Sequence, residues 1–410
     1  MKEHNIELLS PSGDMERLKL AVKFGADAVY VGGEMFGMRT NPSNFNADQL
    51  KQAVELVHNN NKKIYLTCNT LPRNNELGAL PDYLKYVQQI GVDALIIADM
   101  GVLSLAKKYA PDTDIHMSTQ VGIVNYAAAN ALYDMGASRI VTARELSLDE
   151  IKCIRENTNP NLEIEVFVHG AMCMSFSGRC ILSDYMVGRD ANRGDCAQPC
   201  RWKYHLVEET RPNQYFPINQ DENGTYIFNS RDLCMIEHIA ELDRAGVDSF
   251  KIEGRAKSEY YTAIVTYAYR NAIDEYTAQG RPENFKPSQW ILDEMDKMSH
   301  REYTTGFNFG PIKNGQVLET GGYIRNWDVC ALFKSWDNGI LTVSQRNRFY
   351  QGDELEVVEP GKKPYTIVVE SLFNVKDNEY VNVANKATDV YSFKCDKAIS
   401  PDAIFRVKRK

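Results

Sequence analysis

Five of the nine cysteines crowd into one stretch of the sequence, at positions 173, 180, 196, 200 and 234. An odd number of cysteines without a secretion signal argues against a disulfide framework. Thiolates are soft donors that suit zinc or an iron–sulfur cluster. Zinc sites prefer two close cysteine pairs, but only Cys196 and Cys200 are close here. The spacing therefore favours a cubane cluster, with buried apolar thiols in a packed loop as the alternative.

A histidine just before the first of these cysteines raises a second kind of chemistry. His169 could act as the base for a nucleophilic Cys173. A cysteine that binds a metal cluster cannot also be a free nucleophile, and the sequence holds neither H-E-x-x-H nor G-x-S-x-G. These residues therefore provide no evident peptidase unit.

The first two-thirds of the chain alternates short strand-like runs with helical patterns, which predicts βαβ units and a parallel sheet. Four helix-to-strand joints share a glycine, at positions 25, 91, 136 and 246. One repeated joint and eight strands favour a closed (β/α)8 TIM-type barrel. A doubly wound open sheet is disfavoured, because the segment after the first strand is not G-x-G-x-x-G. The eight strands are predicted at 6–9, 28–31, 64–67, 94–97, 115–118, 138–141, 164–168 and 249–252.

The predicted fold class is thus α/β, with a C-terminal small all-β barrel domain after the TIM-type barrel. We assign residues 1–280 to the barrel, with a cysteine-rich excursion at 171–234. Residues 281–320 form a linker with a short helix, and residues 321–410 form the small β-barrel domain, because short alternating runs dominate there.

The excursion follows the seventh strand, so it should lie at the carboxyl mouth of the barrel, where such barrels place their active sites. Alternation along a strand puts Glu165, Phe167 and His169 on one face. We take four inward polar residues near strand ends as catalytic candidates, with a buried polar layer as the alternative: Asn69, Gln120, His169 and Glu253. Three arginines are candidates for binding an anionic substrate: Arg144, Arg179 and Arg255.

The stretch from Glu165 to Ser183 reads E-x-F-x-x-G-A-M-C-x4-G-x-C-x-L-S and resembles the signature of the collagenase-like peptidase family U-32. The similarity extends to residues 7–13, 30–33 and 250–255, and to the C-terminal stretch 346–353. Within the family, the sequence is most similar to the branch of tRNA hydroxylation proteins.

The resemblance implies an enzyme that hydroxylates the wobble uridine of tRNA to 5-hydroxyuridine, with prephenate as co-substrate and a [4Fe-4S] cluster. It implies Cys173, Cys180, Cys196 and Cys234 as the cluster ligands, and Cys200 as a surplus thiol that could replace one of them. A collagenase-like peptidase is the alternative, and a non-catalytic RNA-binding or assembly factor is a third. A homo- or hetero-oligomer fits any of the three.

Charge and hydropathy limit the partners. The net charge is −8, which argues against an indiscriminate nucleic-acid coat, but residues 301–410 carry 16 basic and 14 acidic side chains. We therefore expect the C-terminal domain to hold tRNA through Arg346, Arg348, Phe349, Tyr350 and the basic tail 406–410. The N-terminus lacks an apolar signal core, and no long apolar run exists, so we expect cytoplasmic residence without a membrane-spanning helix.

Overall fold

The fold is taken from a computed structural model, which describes residues 5–37, 44–173, 175–191, 194–202, 219–221, 224–226, 230–310 and 323–409. The helices of this part are α1 Met15–Lys23, α2 Ala47–Asn59, α3 Leu80–Ile90, α4 Met100–Tyr109, α5 Tyr126–Asp134, α6 Leu148–Glu156, α7 Leu182–Val187, α8 Ile239–Arg244, α9 Glu259–Ala278 and α10 Gln289–Met295.

The strands of the N-terminal sheet are β1 Glu7–Pro11, β2 Ala28–Gly32, β3 Lys63–Cys68, β4 Ala94–Ile97, β5 Asp114–Met117, β6 Arg139–Val141, β7 Glu163–Ala171, β10 Asp232–Cys234, β11 Ser249–Ile252 and β12 Tyr303–Thr304. A separate hairpin joins β8 Asn219–Asp221 to β9 Gly224–Tyr226. The strands of the C-terminal domain are β13 Trp327–Asp337, β14 Ile340–Gln345, β15 Phe349–Tyr350, β16 Glu354–Val358, β17 Tyr365–Val368, β18 Phe373–Asn374, β19 Glu379–Tyr380, β20 Val383–Ala384, β21 Val390–Lys394 and β22 Ile404–Lys408.

Eight parallel strands close into the predicted TIM-type barrel. The order runs β1 to β7 and then β11, which pairs with both β7 and β1. All eight predicted strands are present, and the four joint glycines have φ between 79° and 104°, the left-handed conformation in which a helix ends before a short return to the sheet. The barrel prediction is therefore confirmed.

Two short strands extend the barrel sheet at the end of the excursion. β10 pairs antiparallel with the upper end of β7, so that Cys234 lies opposite His169, and β12 pairs with β10. Neither strand could be predicted from the sequence, because runs of three and two residues give no readable alternation. Residues 303–304, assigned to the linker, thus belong to the barrel sheet; linker residues 311–320 lie outside the described part.

The C-terminal domain is an antiparallel sheet of eight strands, curved as a half-barrel, with β15 and β20 as a second small sheet. Its core is apolar and includes Leu341, Phe349, Leu355 and Phe405. The all-β prediction is confirmed. The domain packs on the barrel through β16 and β22, whose charged side chains reach α9 and α10.

Candidate functional site

A cavity of about 600 Å³ opens at the carboxyl ends of the barrel strands, under the cysteine-rich excursion. Of the eleven residues that the sequence analysis selected for catalysis, substrate binding and metal ligation, seven line this cavity: Asn69, Gln120, Arg144, Cys173, Cys196, Glu253 and Arg255. The excursion also contributes Ser177, Arg189 and Cys200. The structure therefore brings most of the predicted residues to one mouth, as the barrel topology requires.

One wall of the cavity is a chain of amide and hydroxyl groups. The amide of Asn69 donates to Oε1 of Gln120 at 2.8 Å, and the hydroxyl of Ser118 donates to the same oxygen at 3.2 Å. Arg179 does not line the cavity; its side chain is exposed, and its Nε donates to the backbone carbonyl of Gln120 at 2.5 Å. In this structure Arg179 therefore holds the wall in place from outside.

The opposite wall follows β11. Oε2 of Glu253 accepts a hydrogen bond from Tyr30 at 3.2 Å, and Arg255 donates to Oγ1 of Thr67 at 2.9 Å. Gly32 makes this position of Arg255 possible, because a Cβ atom there would lie 2.4 Å from the guanidinium. An acid–base group and a cation thus face the cavity from one strand end.

Below the cavity, ion pairs continue down the barrel axis. Nζ of Lys251, on the cavity floor, lies 2.6 Å from Oε1 of Glu165, and Arg139 bonds the other oxygen of Glu165 at 3.0 Å. Arg139 also bonds Glu7 at 2.6 Å. Burial opposes the charged form of Glu7, but Arg139 and hydrogen bonds from Tyr65 and Ser249 hold the pKa of Glu7 below its usual range. This network was not predicted from the sequence, although the inward alternation of Glu165 and Lys251 was its signal.

A cation and an aromatic ring form the inner side of the mouth. The guanidinium carbon of Arg144 lies 4.0 Å from the centre of the Phe167 ring, and its NH1 donates to the carbonyl of Ala171 at 3.1 Å. Nε of Arg144 is buried and makes no hydrogen bond within the described part of the chain. A buried donor without an acceptor is costly, so this geometry suits an acceptor oxygen from a ligand.

His169 does not line the cavity. A register shift breaks the alternation between β7 and β11: Lys251 pairs with Phe167, whereas Ile252 pairs with His169 and skips Val168. The imidazole consequently packs against Tyr261 and Tyr269 of α9, with ring centres 5.9 and 5.6 Å away. The prediction that Glu165, Phe167 and His169 share one face is therefore wrong for His169.

Burial lowers the pKa of His169 to about 3, so the ring is neutral near pH 7 and is a weak base. Its 1% exposure leaves no path to a substrate in the cavity as it stands. The catalytic role of His169 stays a prediction that this arrangement does not support.

The five excursion cysteines occupy different surroundings. Cys173, Cys196 and Cys200 line the cavity, whereas Cys180 and Cys234 do not. The sulfur of Cys180 accepts a hydrogen bond from the backbone N–H of Leu182 at 3.4 Å, and that of Cys196 accepts one from Gln198 at 3.3 Å. Burial raises the pKa of the Cys234 thiol to about 12. No three His, Cys, Asp or Glu side chains of the described ranges are arranged to hold a metal ion, and the cluster ligands stay a prediction.

The predicted tRNA-binding residues of the C-terminal domain are only partly available. Arg346, Arg348 and Tyr350 are exposed, but Phe349 is fully buried in the domain core. The prediction that Phe349 stacks on a base is therefore wrong, because its strand position points it inward. The basic tail is partly neutralised: Arg406 is buried between two glutamates and Arg409 pairs with Asp328 at 2.7 Å. Lys408 is exposed, and Lys410 lies outside the described residues.

The helices of the described part include none that is both long and apolar enough to cross a membrane.

Comparison with known proteins gives consistent matches. Residues 13–317 match the model of peptidase family U32, and residues 325–406 match that of the family's C-terminal domain. The tRNA hydroxylation protein P1 of Bacillus subtilis is 37% identical over 403 residues, which cover 98% of this chain and 94% of that protein. The tRNA hydroxylation protein P of Escherichia coli is 37% identical over 396 residues, covering 86% of each chain.

A third relative acts on a different RNA. The 23S rRNA 5-hydroxycytidine C2501 synthase of Escherichia coli is 37% identical over 314 residues, which cover 75% of this chain and 46% of that protein. The resemblance carried by the segment from Glu165 to Ser183 is thereby confirmed, and the chain belongs to peptidase family U32.

Proposed function

We propose that this protein is an RNA-modifying enzyme that hydroxylates the wobble uridine of tRNA to 5-hydroxyuridine. The observation that carries the proposal is the 37% identity over 98% of the chain to a protein named for tRNA hydroxylation. The rRNA-modifying relative supports the broader class, hydroxylation of an RNA base. The cavity at the barrel mouth has a size suited to a base and a small co-substrate.

Prephenate is the proposed co-substrate. A dicarboxylate needs cationic donors, and the cavity presents Arg144 and Arg255 from different strand ends. Asn69, Gln120 and Glu253 line the same space and are the groups that would orient a uracil ring or exchange a proton with it. Arg179 would act through Gln120 rather than by touching a ligand.

A [4Fe-4S] cluster on Cys173, Cys180, Cys196 and Cys234 is the proposed cofactor. The chemistry of the thiolate donors and the family signature support this cofactor. In the structure these thiols are not gathered around one point. Cluster binding would have to draw the four sulfurs together. We therefore derive no catalytic step from the cluster.

The direct test is nucleoside mass spectrometry of tRNA from a strain that lacks the gene. We expect loss of 5-hydroxyuridine and its derivatives, with recovery by the wild-type gene. Loss of 5-hydroxycytidine from ribosomal RNA with unchanged tRNA would instead assign the rRNA reaction. Unchanged RNA together with peptide cleavage by the purified protein would favour the peptidase.

A further inference from the structure

Two cations approach one aromatic ring on the inner side of the cavity. The Arg144 guanidinium lies 4.0 Å from the centre of the Phe167 ring, and Nζ of Lys251 lies 5.4 Å from the same centre. Nζ of Lys251 also lies 4.7 Å from the ring centre of Tyr30. All four residues line the cavity, so a ligand at its inner end meets two positive charges against apolar rings.

Both cations have donors without acceptors among the described residues. Lys251 is 4% exposed and carries three N–H donors, of which one is used by Glu165. Nε of Arg144 is buried without a hydrogen bond, and no carboxylate of the described part pairs with that arginine. Unused donors on two cations that line one cavity fit the oxygens of an anionic group.

Glu165 fixes the lysine from below. The carboxylate is fully buried, and Arg139 and Ser249 bond its second oxygen at 3.0 and 3.4 Å. The Lys251 ammonium therefore cannot swing to the surface, as an exposed lysine would, and its position on the floor is set by the barrel core.

We propose that Lys251 and Arg144 bind carboxylate oxygens of a small organic acid in the cavity, and that Glu165 is the positioning residue for Lys251. The apolar body of that acid would lie along Phe167 and Tyr30. This inference deepens the proposed function, because it names the contacts of the co-substrate. Lys251 was not among the site residues predicted from the sequence.

The test is calorimetric titration of the full chain with prephenate and, separately, with uridine 5′-monophosphate. Lys251→Met should weaken prephenate binding by roughly tenfold to a hundredfold, the usual effect of losing a charged hydrogen bond. Because that variant leaves Glu165 buried without its lysine, the double variant Glu165→Gln/Lys251→Met is measured too. Its thermal unfolding should lie close to that of the wild type, with prephenate binding still lost. Lys62→Met is the matched control, since Lys62 pairs with Asp27 away from the cavity.

Wild-type affinity for prephenate in a folded double variant would overturn the inference. So would a wild-type protein that does not bind prephenate, or a loss confined to uridine 5′-monophosphate. The proposed function fails separately: a chain that binds prephenate through Lys251 but leaves tRNA unmodified contradicts the function alone. Undiminished tRNA hydroxylation by the double variant contradicts the inference alone.

Discussion

Arg406 on β22 and Glu294 on α10 form a fully buried, two-point ion pair between the C-terminal domain and the barrel. The two guanidinium nitrogens lie 2.7 and 2.6 Å from the two carboxylate oxygens, and both side chains are 0% exposed. Glu356 and the hydroxyl of Tyr260 complete the hydrogen bonding of Arg406. A residue at the basic end of the chain thus serves the domain interface instead of an RNA surface.

Arg406→Met should destabilise the protein by about 3–5 kcal/mol, because it leaves Glu294 charged and buried without a partner. Urea unfolding of the full chain measures this. The double variant Arg406→Met/Glu294→Met should recover much of the loss, and Arg409→Met, which breaks an exposed pair, should cost at most about 1 kcal/mol. Equal losses for Arg406→Met and Arg409→Met would contradict the assignment.

Cys173→Ser, Cys180→Ser, Cys196→Ser and Cys234→Ser should each remove the visible absorbance, iron and sulfide of anaerobically purified protein. Cys200→Ser should keep all three, which makes it the matched control because Cys200 lines the same cavity as Cys173 and Cys196. One zinc per chain in place of iron would contradict the cluster. If Cys200→Ser lost its iron and Cys234→Ser kept it, Cys200 and not Cys234 would be the ligand.

The buried His116 should make the protein less stable in mild acid. Burial, and then the charges of Arg139, Lys251 and Lys63, lower its pKa well below the ordinary value, so the folded state keeps the ring neutral. The unfolded chain gains a proton below about pH 6.5, and stability must therefore fall as the pH drops from there.

His116→Gln removes this linkage. When the pH is lowered from 6.5 to 5.5, the free energy of unfolding should fall by about 1 kcal/mol less in the variant than in the wild type. Urea titrations at both pH values, with pH 8 as the reference where neither state is protonated, give the difference. Parallel profiles for the two proteins would show that His116 is not the group responsible.

Gly32→Ala should displace Arg255 without unfolding the protein. A Cβ atom at this position would lie 2.4 Å from the guanidinium, the end of a flexible side chain that can move. If Arg255 binds a carboxylate, the variant should bind prephenate about tenfold less tightly, as should Arg255→Met. Wild-type affinity for prephenate in both variants would show that Arg255 does not bind it.

Arg346 and Arg348 are exposed cations of the C-terminal domain that are available for tRNA contact. If each touches a phosphate, Arg346→Ala and Arg348→Ala should each flatten the slope of log affinity against log salt concentration by roughly one unit. Tyr350→Ala should weaken binding with the slope unchanged, because stacking releases no counterion. Arg409→Ala is the control, because Arg409 already pairs with Asp328. If tRNA affinity and its salt dependence were unchanged in the first three variants, the role of the domain would be structural only.

The sequence by itself determined the barrel, because the alternation of strands and helices and the four joint glycines repeat at a readable period. It also determined the family, since the segment from Glu165 to Ser183 is dense in specific residues, and it placed the cavity at the carboxyl mouth. Local pattern suffices where each element buries one face against its neighbours.

Only the tertiary structure decided where individual side chains point. The register shift beside Val168 turned His169 away from the cavity, and no strand period announces such a shift. Phe349 and Arg406 looked like an RNA surface because charge and aromaticity are visible in sequence, whereas burial against a distant element is not. The Glu165–Lys251 pair joins residues 86 positions apart, so only closure of the barrel could show it.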